Sequence, residues 1–153
     1  MGNASAKMHR RMTSIDDVLG ADHQRLDAVL TELEAAIGAK STAAAGPLKS
    51  FAAGLRRHMA WENEHLFPAV RARATAAQQR SIDSLIIDHE RLSETLAELE
   101  ASVAGADFIP ARDQAAWLRK LLQGHNYDEE HGAYVEADRY LTDDERKDLI
   151  ARF

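Results

Sequence analysis

Two histidine–glutamate pairs lie where a helical sequence would otherwise carry leucine. His58 and Glu62 are four residues apart, and so are His125 and Glu129. Residues at this spacing face the same side of a helix. On a surface such a pair would be an ordinary contact worth roughly 0.2–0.5 kcal/mol, but these pairs lie within apolar stripes. A carboxylate in a helical core is costly unless it is paired or binds a metal ion, so the pairs predict a metal site.

Two single histidines interrupt leucine-rich stripes in the same way. His23 follows Leu19 by four residues, and His89 follows Leu85 by four. Either histidine alone would be more simply explained as an ordinary core or surface residue. Together with the two pairs they supply four imidazoles and two carboxylates, and a metal is the least costly reason to bury that set.

The ligand types decide the class of metal. Imidazole and carboxylate suit iron, manganese or zinc, and six side chains are too many for one tetrahedral zinc ion. They suit two metal ions, each with two imidazoles and both bridged by the glutamates, with room for an oxo or hydroxo bridge and a small molecule. Carboxylate-bridged metal pairs are an established arrangement in bundle cores. A bundle without metal would bury two carboxylates with no compensation.

Four long helices must position these residues. Apolar residues recur at helical spacing nearly throughout, and no stretch alternates with the period of a strand. We predict a first helix over residues 14–37, a second that begins at Pro47, a third over residues 76–104 and a fourth that begins at Pro110. Because the loops are short, neighbouring helices should be antiparallel. The predicted fold class is all-α, an antiparallel up-down four-helix bundle.

The heights of the histidines along these helices agree with each other. A helix rises about 1.5 Å per residue, which places His23 about 21 Å before the end of the first helix and His58 about 17 Å into the second. His89 and His125 lie at comparable heights in the third and fourth helices. In an antiparallel bundle all six residues therefore meet in one layer, which unrelated core histidines would have no reason to do.

Glycine, proline and capping residues predict where the helices end. Gly38 and Gly105 are predicted stops for the first and third helices, and Pro68 is predicted to kink or end the second. Thr142 and Glu145 form a capping-box pattern. This pattern predicts a short fifth helix that begins at about residue 142.

Length and composition predict one domain and exclude several classes of function. The 153 residues fit a single domain, with a flexible basic tail over residues 1–12 and the bundle with its C-terminal helix over residues 13–153. The net charge of −6 argues against a nucleic-acid partner, which needs a basic face. The absence of cysteine excludes disulfides, thiolate zinc sites and cysteine-held iron–sulfur clusters.

The sequence also lacks the pattern of a membrane segment. No apolar run approaches the roughly 20 residues that a transmembrane helix needs. The basic N-terminus is not followed by the apolar stretch of a signal peptide. We therefore expect a cytoplasmic protein without a membrane partner.

The order of the histidines and glutamates resembles the hemerythrin-like, or HHE cation-binding, domain family. Segment 58–68, His-Met-Ala-Trp-Glu-Asn-Glu-His-Leu-Phe-Pro, is similar to the family's second-helix motif. Segment 125–131, His-Asn-Tyr-Asp-Glu-Glu-His, is similar to its fourth-helix motif. The resemblance covers about residues 14–140 and implies a hemerythrin-like bundle with two non-haem iron ions, oxo- or hydroxo-bridged.

The resemblance also implies a role for each ligand. His23 and His58 would bind one iron, and His89 and His125 would bind the other. Glu62 and Glu129 would bridge the two ions. Zinc or manganese in the same cage is an alternative to iron.

One position departs from the oxygen-carrying hemerythrins. They have a fifth histidine one turn after the third-helix ligand, where this chain has Ser93. One iron would then have an open position, which argues against reversible oxygen carriage and favours the branch with four histidines and two glutamates.

The expected function is a reaction of the di-iron site with O2, H2O2 or NO, with an electron donor still to be identified. The alternative is a non-catalytic module that binds O2 or NO, senses iron or stores it. The oligomeric state is open.

Several polar residues flank the predicted ligands. His65, one turn after Glu62, and Ser93 are candidates for supporting the ligands, and His65 is also a candidate substitute ligand. Asp22 and Asp88 directly precede His23 and His89, but adjacent helical residues do not face each other. We therefore expect both aspartates to face solvent, and we expect the same of Glu130.

Overall fold

Four long helices make up most of the structure, a computed structural model that describes residues 14–153. Helix α1 spans Ile15–Gly38 and α3 spans Ala76–Ala104. The described residues contain no strand, and the all-α prediction is confirmed. The predicted basic tail, residues 1–12, lies outside the described residues.

Helices α2 and α4 each contain a π turn between two α-helical segments. The segments of α2 are Ala45–Trp61, the π turn Glu62–Leu66 and Phe67–Arg71. Those of α4 are Phe108–Asp128, the π turn Glu129–Ala133 and Tyr134–Tyr140. Each π turn begins at one of the two glutamates, so the residue five positions after each glutamate, rather than four, returns to the same face.

The second helix does not end at Pro68, as one alternative of the sequence prediction had it, but continues to Arg71. Proline disrupts an α-helix because its ring clashes with the carbonyl four residues earlier. Here Pro68 lies in the first turn after the π turn, in which the amide of Phe67 donates to the carbonyl of Glu62, five residues back. The wider turn removes the conflict that the prediction assumed.

The four helices pack as a closed ring in which α1 contacts α2 and α4, and α3 contacts the same two helices. Two hydrophobic clusters fill the interior. One is built around Leu30, Phe51 and Leu96, and the other around Leu19 and Phe67. Each fully buried leucine or phenylalanine contributes about 1.5–3 kcal/mol. None of the helices within residues 14–153 combines the length and apolar character needed to cross a membrane.

The polar layer lies between these two clusters. Along α1 the stripe passes from Leu19 in one cluster through His23 to Leu26 in the other. Along α3 it passes from Leu85 through His89 to Leu92 in the same order, whereas α2 and α4 pass through it in the reverse order. This antiparallel arrangement brings the histidines and glutamates to one height.

A short fifth helix, α5, spans Asp143–Ala151 and begins with the predicted capping box of Thr142 and Glu145. It packs over the bundle next to the polar layer. The indole of Trp61 donates to the carbonyl of Leu149 at 3.1 Å, and the ring of Phe153 meets Trp61 with 5.3 Å between centroids. Helix α5 therefore covers the side of α2 that carries His58.

Helix α3 ends directly before Gly105, as predicted, whereas α1 includes Gly38 and ends one residue later than predicted. Gly38 and Gly105 do not adopt the left-handed conformation, which Lys40 and Ala106 take instead with φ of 51° and 53°. The amide of Ala106 donates to the carbonyl of Val103, and that of Asp107 to Ser102, the pattern of a Schellman cap. The left-handed residue thus lies two positions after Gly38 and one position after Gly105.

Replacing Ala106 with glycine is expected to stabilise the protein by roughly 0.5–1 kcal/mol. Glycine removes a left-handed penalty of about 1–2 kcal/mol, offset in part by its greater freedom in the unfolded chain. The melting temperature should rise by about 2–4 °C for each kcal/mol of stabilisation in a domain of this size. Gly105→Ala is the matched control, because φ at Gly105 is −81° and an added Cβ meets no atom within 3.4 Å. A lower melting temperature for Ala106→Gly would contradict this account of the cap.

Candidate metal centre

The six predicted ligands lie together in the layer between the two clusters. Their side chains are all buried, with exposed fractions between 0% and 6%. They form two groups that share both glutamates. The first cation group is His23, His58, Glu62 and Glu129, and the second cation group is Glu62, His89, His125 and Glu129. Within each group one donor atom of every residue lies within 4.8 Å of the others.

Each glutamate directs one carboxylate oxygen into each cation group. Glu62 Oε1 lies 3.1 Å from His58 Nε2, and its Oε2 lies 3.2 Å from His89 Nε2. Glu129 Oε2 lies 3.1 Å from His23 Nε2, and its Oε1 lies 2.7 Å from His125 Nε2. The carboxylates therefore span the space between two pairs of imidazoles, which is the arrangement of bridging ligands.

The donor set fits metal cations on two further observations. Glu62 Oε2 and Glu129 Oε1 are buried without a hydrogen bond, and although the latter is close to His125 Nε2, it lacks the angle of a hydrogen bond. Buried carboxylate oxygens without partners are costly, and a cation in the second cation group would satisfy both. The set offers imidazole nitrogen and carboxylate oxygen without thiolate, which suits iron, manganese or zinc.

The histidine pKa values show how strongly the carboxylates act on this layer. Burial lowers the pKa of His58, but the carboxylates of Glu62 and Asp22 outweigh it and raise the pKa to about 10. Burial likewise lowers the pKa of His89, while Glu129 and Glu62 raise it to about 9. The site favours positive charge, carried by protons or by metal ions that displace them.

The Nδ1 atom of each histidine faces an oxygen from another helix. Asp22 accepts from His58 at 2.8 Å, and Glu130 lies 2.7 Å from Nδ1 of His23. The remaining two contacts join His89 to Asn63 at 2.8 Å and His125 to Asp88 at 3.5 Å. At His23, His58 and His89 the hydrogen-bonded oxygen holds the proton on Nδ1 and leaves Nε2 free to bind metal, whereas His125 Nδ1 makes no hydrogen bond to Asp88.

The prediction that Asp22 faces solvent is wrong, because this side chain is buried, with 7% exposure. Glu130 is also not a plain surface residue, since it contacts His23. Adjacent residues on one helix do face apart, as assumed, but Asp22 turns toward His58 on α2 instead of His23. The repeated Asp-His at positions 22–23 and 88–89 was the sequence signal for this role.

Replacing Asp22 with alanine is expected to weaken metal binding about 10–100-fold. Without the carboxylate, the ring of His58 loses the acceptor that fixes its orientation and proton position. Asp22→Asn keeps an acceptor without the charge and should give an intermediate loss. Titration of metal-free protein with iron or zinc measures the effect, with Glu32→Ala on the exposed face of α1 as control. Equal affinity in the wild type and Asp22→Ala would show that this contact does not support the ligand.

Tyr134 belongs to the site, although sequence reasoning missed it. Its side chain is 0% exposed, and its hydroxyl lies 2.5 Å from Glu62 Oε1 and 2.9 Å from Glu129 Oε2. Both His23 Nε2 and His58 Nε2 are 3.1 Å away. Its position five residues after Glu129 is off the stripe of a regular α-helix and is brought onto it by the π turn.

The two candidate supporting residues, His65 and Ser93, have different surroundings. His65 is half-buried and lies outside both cation groups. The hydroxyl of Ser93 donates to the backbone carbonyl of His89 at 2.7 Å. Ser93 thus contacts the backbone of a predicted ligand and not the carboxylate layer.

Comparison with known proteins gives one result. Neither the curated proteins nor the solved structures yield a match to this chain. The family model of the hemerythrin HHE cation-binding domain matches residues 14–137, which include α1 to α3, most of α4 and the six buried residues of the two cation groups. With the buried histidine–glutamate cluster, this match indicates a metal-cation site. The chain belongs to the hemerythrin HHE cation-binding domain family.

Proposed function

We propose that this protein holds two iron ions bridged by Glu62 and Glu129 and that it reacts with a small molecule, O2, H2O2 or NO. The observation that carries the proposal is the position of the two glutamates, each of which directs one oxygen to each cation group. A site for a single cation would not need the two oxygens of each carboxylate to point to different groups of histidines.

The residues of the chain have distinct roles in this proposal. His23 and His58 hold one ion, and His89 and His125 hold the other. When bound, the iron ions supply Lewis acidity and electrons. The hydrophobic clusters on both sides of the layer exclude bulk water. The oxygens hydrogen-bonded to Nδ1 of His23, His58 and His89 hold these imidazoles in the orientation that presents Nε2.

The small molecule is proposed to bind in the second cation group, next to Ser93. A groove of about 350 Å³ between α2 and α3 is lined by Asn63, His89 and Ser93, among others. The Ser93 hydroxyl donates to the backbone carbonyl of His89. The position that a fifth histidine would fill is therefore left open to a small molecule. The groove thus gives a route from the surface to His89.

A second opening reaches the layer from the apolar side. A cavity of about 40 Å³ is lined by His23, His58 and His125, and by leucines that include Leu26 and Leu55. A volume of this size holds a few waters or one diatomic molecule, since one water needs about 10–15 Å³ by the same measure. This cavity is therefore large enough for the proposed small ligands and too small for a larger substrate.

The first test is metal analysis and an optical spectrum of the purified protein, followed by addition of H2O2 with measurement of released O2. About two irons per chain with oxygen release supports the peroxide reaction. Two irons with a stable, reversible O2 or NO spectrum and no turnover instead supports the non-catalytic alternative. Failure to bind iron, even after reconstitution, contradicts both.

A substitution tests the place of the small molecule. Ser93→His supplies the missing imidazole and should suppress the reaction while iron content stays unchanged. Ser84→His is the matched control, because Ser84 is exposed on the same helix and its hydroxyl also donates to the carbonyl four residues earlier. Equal reaction rates in the two variants would exclude the position beside His89.

A further inference from the structure

The hydroxyl of Tyr134 has more close neighbours than a phenol can satisfy by hydrogen bonding. Carboxylate oxygens of both Glu62 and Glu129 lie within 2.9 Å of it. An ionised carboxylate only accepts, and a phenol donates one hydrogen bond. One proton therefore cannot serve both contacts, and the hydroxyl lies among four atoms that are all metal-ligand types.

A phenylalanine occupies the corresponding place beside the second cation group. Phe67 follows Glu62 by five residues, as Tyr134 follows Glu129, and both positions directly follow a π turn. The ring of Phe67 stacks on His89 at 5.5 Å and 22°, and that of Tyr134 stacks on His23 at 5.5 Å and 29°.

The two rings pack alike, so the hydroxyl is what distinguishes the two groups. Phenylalanine suffices for packing, as Phe67 shows with its 1% exposure. A hydroxyl buried in the same setting costs free energy unless it makes strong interactions. All of its contacts named above are with the predicted ligands, which indicates a role toward the cation.

We infer that Tyr134 is a fifth protein ligand of the cation held by His23 and His58 and binds it through the phenolate oxygen. The inference rests on the proposed cation site. The phenol proton is released to solvent on binding, as happens with thiols that coordinate a metal. The first cation group then has two nitrogen and three oxygen ligands, whereas the second has no phenol. The two ions are unequal, and the more open one is beside Ser93.

The test is a titration of metal-free protein with iron(III), followed in the visible region and by iron analysis. Phenolate bound to iron(III) gives a charge-transfer band there. We expect the band in the wild type and its loss in Tyr134→Phe, which still binds iron through the histidines and glutamates. Tyr127→Phe is the control, because this tyrosine lies on the same helix with 60% exposure and should keep the band.

A second measurement does not depend on the folding of a variant. Resonance Raman excitation within the band of the wild type should show tyrosine ring vibrations, which shift when the protein is made with ring-deuterated tyrosine. Wild type that binds two irons without the band, or a band that persists in Tyr134→Phe, overturns the inference and leaves the proposed function standing. A chain that binds no iron overturns both.

Discussion

Replacing Glu62 with alanine is expected to lower the metal content of the purified protein from two ions to fewer than two per chain. One carboxylate contacts the histidines of both cation groups, with its two oxygens 3.1 and 3.2 Å from His58 and His89. Its loss therefore removes a ligand from both ions at once. The affinity should fall by more than the roughly 10–100-fold that loss of a supporting contact costs.

Glu129→Ala should have the same effect, because this carboxylate makes the equivalent contacts with His23 and His125. Glu64→Ala is the matched control, two residues from Glu62 and exposed. Metal analysis after reconstitution and gel filtration measures the content, and circular dichroism verifies that the helices are intact. If either glutamate variant retains the full complement, the bridging assignment is wrong.

Protein stripped of metal is expected to lose stability as the pH rises from about 6.5 to about 10. The pKa of His58 is raised to about 10 and that of His89 to about 9, both from 6.5. A histidine whose pKa is raised in the folded state contributes its full stabilisation when the pH is below its pKa in the unfolded chain. This contribution is lost as the pH rises through its pKa in the folded protein. A shift of one pKa unit changes the free energy of unfolding by about 1.4 kcal/mol. In a domain of this size, this corresponds to a change of roughly 3–6 °C in melting temperature.

Metal-loaded protein should behave in the opposite way over the same range. Metal ions displace the protons from the imidazoles, so binding becomes tighter as proton competition weakens, and a tightly bound ligand stabilises the folded state. Thermal melts with chelator and with metal, repeated across this pH range, should therefore diverge as the pH rises. Parallel curves would show that the imidazoles do not exchange protons for metal.

The helices and the polar layer could be predicted because they depend on regular repeats. Leu19, Leu26 and Leu30 recur with the helical period, and His23 interrupts that period at a height that matches His58. Glu62 and Glu129 could be placed in the core because each lies four residues after a histidine within an apolar stripe. A buried carboxylate needs a partner, so these positions also predicted the metal site. The capping box of Thr142 was also a local pattern, and α5 begins where it predicts.

The rest depends on geometry that such repeats do not describe. Each π turn changes the spacing of residues that share a helix face from four to five. A prediction based on regular α-helices therefore does not place Tyr134 on the face of Glu129. The role of Asp22 depends on how close α1 comes to α2, a tertiary distance. Gly105 correctly marks the end of α3, but the left-handed residue at that end is Ala106, which the conformational preferences of single residues do not predict.

The metal layer is nearly a twofold repeat of one half of the chain. His23 and His89 are separated by 66 residues, and Glu62 and Glu129 by 67. Each half contributes two histidines and one glutamate, and the first half alone supplies both imidazoles of the first cation group. Two copies of a half-length chain, related by a twofold axis, could therefore build the same centre. In such a homodimer both ions would be equivalent. Joining the halves into one chain allows the aromatic residue after each π turn to differ, so that the two cation groups can have different ligands.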